Sequence, residues 1–136
     1  MNNVQKVKVE WHNGRFQLTE PAKIEEVNSK ALMLCAAAQC AGYTVMSILG
    51  KDDITPKSFE IEAKGWLNTP TLQPSSQYEK FEVTYRLECR NIDDQNAVSE
   101  AVLQAQTEKC GVIAMLRKVA PVGHHISVVS TDTTDL

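Results

Sequence analysis

The chain has 136 residues, enough for one core and one domain over 1–136, and small enough that self-association would help to stabilise it. Its 14 Lys and Arg stand against 17 Asp and Glu, a net charge of −3 without a basic block, which excludes the electrostatic footprint of a nucleic-acid binder. The start MNNVQKVKVEW has no apolar stretch and no cleavage site of a secretory leader, so the expected location is cytoplasmic and the four cysteines are expected as thiols, not structural disulfides.

The first element alternates. Val7, Val9 and Trp11 fall on one face and Lys6, Lys8 and Glu10 on the other, after which Asn13-Gly14 is a strong hairpin signal with a returning strand over 15–18. Residues 31–49 then carry no formal charge, close to the length of a membrane span. Their bulk is Ala, Gly, Cys and Ser, and Gln39, Thr44 and Ser47 would be costly in hydrocarbon, so the expectation is a central helix of a globular protein packed on every side. Asn28 or Ser29 can cap its start, and Gly50 before Lys51-Asp52-Asp53 supplies a stop.

Residues 58–63 place Phe59, Ile61 and Ala63 on one face of a half-buried strand, and 67–76, with Pro70 and Pro74, reads as a loop. The clearest strand follows, with Phe81, Val83, Tyr85, Leu87 and Cys89 inward against Glu82, Thr84, Arg86, Glu88 and Arg90 outward. A second helix begins near Asp94, with Ala97, Val98, Ala101, Val102 and Ala105 at helical spacing. It is interrupted at Lys109-Cys110-Gly111, resumes as Val112–Leu116 and ends before Pro121. A last strand over 125–130 and a polar tail expected to fray over 131–136 complete the chain. The class is α+β, an antiparallel sheet with one helix too apolar all round for a single small sheet to cover, so a second copy of the chain is the expected cover.

Two cysteines stand in unlike settings: Cys40 inside the Ala-rich helix pattern and Cys110 at the break in the second. By residue type alone, a Cys in an Ala-rich helix reads as a small hydrophobe. The segment 32–49, an Ala-rich run leading into Cys40 and then Val45-Met46-Ser47-Ile48-Leu49, resembles the central helix of the OsmC/Ohr family. The segment 108–118 around Cys110, with Pro121 and His124 beyond it, is similar to that family's second cysteine segment.

The resemblance implies a thiol-dependent reductase of organic hydroperoxides that works as an intertwined homodimer. Cys40 would be the peroxidatic thiol and Cys110 the resolving one, with an external dithiol as reductant and no cofactor. Two departures accompany it. Lys30 stands where the organic-hydroperoxide branch has the glutamate that orients an arginine over the thiolate, and Gly111 replaces a common proline. Arg15, just past the hairpin turn, and Lys30 itself are the candidate cations for the Cys40 thiolate. The alternative is a non-catalytic or weakly redox-active member of the same fold that binds an apolar small molecule at the dimer interface. Cys35 and Cys89 read as packing residues, and His12, His124 and His125 lack the paired ligands of a zinc site.

Overall fold

The computed structural model describes residues 3–130; the tail expected to fray lies outside the described residues. Strand β1 (Val4–His12) turns through Asn13 and Gly14, both at positive φ (51° and 85°), into β2 (Arg15–Glu20). Positive φ at both central residues matches the right-handed twist of the paired strands, which is why Asn-Gly carries this turn. After a short 3₁₀ turn (Ile24–Glu26) comes the long helix α1 (Ser29–Lys51), then β3 (Ser58–Leu67) and β4 (Tyr78–Cys89). A second 3₁₀ turn (Ile92–Asp94) leads into α2 (Gln95–Gln104), a π-helical turn (Ala105–Lys109), α3 (Gly111–Arg117) and β5 (Val122–Ser130).

The five strands form one sheet in the order β2-β1-β3-β4-β5. The expectation of a purely antiparallel sheet is corrected at its last member: β1, β2, β3 and β4 pair antiparallel, but β5 runs parallel to β4, with Phe81 opposite Val122 and Tyr85 opposite Ile126. Parallel neighbours need a crossover, and the α2–α3 segment between β4 and β5 is that connection. β5 also begins three residues earlier than its apolar pattern suggests, at Val122. Trp11 and Trp66 belong to the interior strands β1 and β3, and the His124 and His125 side chains are both exposed.

The helices lie against one face of the sheet. The inward residues of the three interior strands, Val7, Val9, Phe59, Ile61, Ala63, Phe81, Val83, Tyr85 and Leu87, meet Leu34, Ala37, Ala38, Ala41, Val45 and Leu49 of α1, all buried. Each buried aliphatic side chain contributes about 1.5–3 kcal/mol of transfer free energy, so the period-2 and period-3.6 patterns converge on one core. Helix α1 begins at Asn28, whose side chain accepts from Ala31 N at 2.9 Å and donates to Gln5 Oε1 at 2.8 Å, tying the first turn to β1. It runs through Gly50 and ends where Asp53 takes positive φ (58°).

The expectation that α1 is packed on every side fails within one chain. Leu32, Met33, Ala36, Tyr43 and Ser47 face outward and are exposed, and Cys40 lies half-buried on the same stripe. α1 has the length and apolar character of a membrane span, yet its opposite face is embedded in the core of the sheet.

Candidate functional site

Cys40 occupies the middle of α1, and the rotation of the helix there is set by β2. The Phe16 ring sits where the helix has no side chain: a Cβ on Gly42 would fall 2.5 Å from the ring. Around it, Gln39 Nε2 donates to Phe16 O (3.3 Å) and Phe16 N donates to the Tyr43 hydroxyl (3.2 Å). Edge-on contacts of Phe16 with Trp11, Tyr43 and Phe59 complete the anchor. Thr44 Oγ1 donates to the Cys40 carbonyl at 2.7 Å.

Cys110 is positioned by the opposite device, an interruption. The π-helical turn closes with Cys110 N donating to Ala105 O (3.0 Å), the chain then becomes extended at Cys110 (φ −81°, ψ 113°), and α3 starts with Ala114 N donating to Cys110 O (3.0 Å). This break presents a buried thiol to α1, near enough to Cys40 for that thiol to act on its ionisation. Burial first, then the neighbouring Cys40 thiol and its charge, push the Cys110 thiol up to about 11, against the pull of the Ile113 and Val112 N–H groups. At neutral pH it is a thiol, not a thiolate. All four cysteines are free.

Beside Cys40 opens a cleft of about 740 Å³, lined among others by Cys40, Tyr43, Ser47, Lys51, Gln104 and Lys109. Half-buried Cys40 thus borders open space, with two lysines on the rim. Neither cation expected from the sequence is among the cleft-lining residues. Lys30 lies ten residues earlier on α1, about 15 Å along the axis at 1.5 Å per residue, and its ammonium donates to the Pro74 carbonyl at 3.0 Å. Arg15 is exposed at the start of β2, next to the anchored Phe16. Cys35 and Cys89 stand apart from the pair: burial raises the Cys35 thiol, and burial with the Asp94 charge raises that of Cys89.

Sequence patterns did not reveal the polar cluster beneath Cys110. Gln106, buried inside the π-helical turn, accepts on Oε1 from the Tyr85 hydroxyl at 2.5 Å and on its main-chain oxygen from the Arg117 guanidinium. Its Nε2 is buried and has no hydrogen-bond partner among the described residues, a cost of about 1–3 kcal/mol. The Tyr85 phenol is held well above its ordinary range by burial, then by the charges of Cys110 and Cys40, with Arg117 opposing. The signal for Gln106 was its spacing: Val98, Val102 and Gln106 recur every four residues on the buried face. Among the described residues, no three His, Cys, Asp or Glu side chains converge as a metal site.

The family model described as OsmC-like protein matches residues 22–125. No match is found among the curated proteins. Solved structures share the fold at low identity. A hypothetical protein from Aquifex aeolicus VF5 aligns with TM-score 0.66 at 19% identity, covering 97% of this chain and 98% of its own. An OsmC like protein from Mycoplasma pneumoniae aligns with TM-score 0.63 at 12% identity, covering 95% and 97%. An organic hydroperoxide resistance protein OsmC from Legionella pneumophila aligns with TM-score 0.54 at 16% identity, covering 90% and 96%.

Proposed function

The chain belongs to the OsmC-like family, and from that premise we propose that it reduces organic hydroperoxides through Cys40 and Cys110. The observation that carries the reading is the pairing itself: a half-buried cysteine on the wall of an open cleft, beside a second, buried cysteine seventy residues later in the chain. The Cys40 thiolate attacks the terminal oxygen of ROOH, the O–O bond breaks, the alkoxide takes up the proton that the Cys40 thiol released on ionising and leaves as ROH, and Cys40 carries a sulfenic acid. Cys110 then attacks the Cys40 sulfur. The S–S bond forms, the S–O bond breaks, and the hydroxide leaves as water with the Cys110 proton before further oxidation can occur. An external dithiol returns both thiols and leaves as its own disulfide.

Lys51 and Lys109 stand on the rim of the cleft and can act on charge that develops there during attack. At exposed positions each is worth at most about 1 kcal/mol, so Lys109→Ala should slow alkylation of Cys40 at neutral pH by no more than about fivefold. Neither Arg15 nor Lys30 lines the cleft in the single chain, which leaves their action on Cys40 to a direct test. Arg15→Ala and Lys30→Ala variants measured in the same assay decide that: no slowing in either removes both from the site.

The open stripe of α1 supports a homodimer. Leu32, Met33 and Tyr43, each more than 40% exposed, share it with Cys40, so the site is incomplete until this face is covered. Sedimentation of a stable, folded monomer at micromolar concentration would refute this. In that reading α1 is a core and interface helix of a cytoplasmic protein rather than a membrane span.

The enzyme is tested by thiol titration after one equivalent of an organic hydroperoxide: two thiols per chain should disappear, and peptide mapping should find Cys40 joined to Cys110. Loss of none returns the chain to the second reading, a module that binds an apolar molecule in the same cleft.

A further inference from the structure

We propose that Gln106 is the positioning residue for Cys110: clamped between the Tyr85 hydroxyl and the Arg117 guanidinium, it holds the π-helical turn in the register that aims the second thiol at Cys40. This rests on the redox reading of the pair, which it extends to residues outside the cleft.

The argument begins with the turn. A π-helical turn accommodates one residue more than regular α-helix, and such turns are uncommon because their geometry is poorer and they must be held by their surroundings. If Ala105–Lys109 relaxed to α-helical register, everything after it would rotate by about 100° about the axis, one residue's worth at 3.6 per turn. Cys110 would swing away from α1. Three elements meet at Gln106 to prevent this: β4 through Tyr85, α3 through Arg117, and the turn itself. Both bonds are made to Gln106, one to its side chain and one to its main chain, so it is the point at which the turn is gripped from two sides.

The grip is built next to the chemistry. The phenol that donates to Gln106 feels the charge of both thiols, so the strut is built in the electrostatic reach of the pair. An apolar side chain at position 106, buried as Gln106 is, would pack without leaving an amide N–H group unpaired. The buried polar residue is therefore a poor choice for packing alone and a suitable one for fixing register. Tyr85, kept neutral by its surroundings, serves only as a donor; the proton lost by Cys110 leaves with the water.

The experiment measures disulfide closure without peroxide. Diamide takes two electrons and two protons from the reduced thiols and becomes the hydrazine as the Cys40–Cys110 bond forms. Closure in Gln106→Leu should be at least tenfold slower than in the parent, and in Tyr85→Phe several-fold slower. Alkylation of Cys40 should change less than twofold in both. Arg117→Ala should slow closure, and Arg117→Lys, which keeps a donor, should recover most of it. Tyr85→Phe removes one oxygen and keeps the question open to decision should Gln106→Leu not fold. Parent-like closure in both variants overturns the proposal. So does a fall in closure matched by equal losses in Cys40 alkylation and thermal midpoint, since that is a merely structural role. Selective slowing of closure in a protein that consumes no hydroperoxide upholds the positioning role while the peroxidase reading falls.

Discussion

Cys40 rides on uninterrupted α-helix whose rotation is fixed by an aromatic ring seated on Gly42, whereas Cys110 sits at a junction where a π-helical turn, an extended residue and a new helix follow one another within a few positions. One thiol is half-buried and opens to a cleft; the other is buried and raised to about 11. The difference assigns an order of events. Under the proposed peroxidase reading, a peroxide meets the first sulfur at the cleft, and the second stays protonated until the first carries an electrophilic oxygenated sulfur. Regular backbone suits a group that must face a substrate, and irregular backbone suits one that must move a short way to form a bond.

The largest effect that would break this asymmetry is the exchange of either sulfur for oxygen. Cys40→Ser should abolish hydroperoxide consumption altogether, because Cys110 alone is buried and protonated at neutral pH. Cys110→Ser should consume one equivalent and then stop, with Cys40 found by mass spectrometry as sulfenic and then sulfinic acid. Steady turnover in Cys110→Ser, or any in Cys40→Ser, would mean that the two positions are not divided in this way.

A smaller effect sharpens the claim that α1 is locked at Cys40. Gly42→Ala gains about 1 kcal/mol of helix propensity but sets a methyl 2.5 Å from the Phe16 ring, and overpacking of that kind costs about 1–3 kcal/mol. The ring cannot swing away cheaply, since it is held by Trp11, Tyr43 and Phe59. Net destabilisation of up to about 2 kcal/mol in denaturant titration is expected. Gly50→Ala, on the same helix with nothing within 4 Å of the added carbon, should instead stabilise by up to about 1 kcal/mol. Equal effects at the two glycines would show that Phe16 does not fix the helix.

What could be read from residues alone follows the same division. β1, β3, β4 and α1 bury one regular face each, so strict alternation or helical spacing exposes them, and the Asn13-Gly14 turn announces its own geometry. β5 is an edge strand with no residue fully buried, and its parallel pairing depends on where the crossover returns, which no local pattern encodes. The break at Cys110 was visible in Gly111 and in the shift of the apolar pattern; its cause, a π-helical turn gripped at Gln106, depends on Tyr85 and Arg117 coming from other elements. Lys51 belongs to the stop after Gly50 and Lys109 to the break before Cys110, and only the packing of α1 beside the turn before Cys110 sets them at one cleft. Lys30 is a candidate because the resemblance sets it at the family's glutamate position, but along one helix ten residues is distance, not proximity.

The smallest effect concerns the buried thiol at high pH. In the unfolded chain Cys110 has the ordinary value of 9.0 and in the fold it is raised to about 11, so between these values the unfolded state has lost a proton that the folded state keeps. Stability falls wherever the unfolded state binds fewer protons, so the contribution is absent below pH 9 and grows as pH rises toward 11. Unfolding midpoints of the reduced protein should therefore decline across that window. Cys110→Ser, which cannot ionise there, should decline less. Identical slopes would mean that Cys110 ionises in the fold as easily as in the open chain, and the contrast between a reachable thiol and a withheld one would lose its electrostatic half.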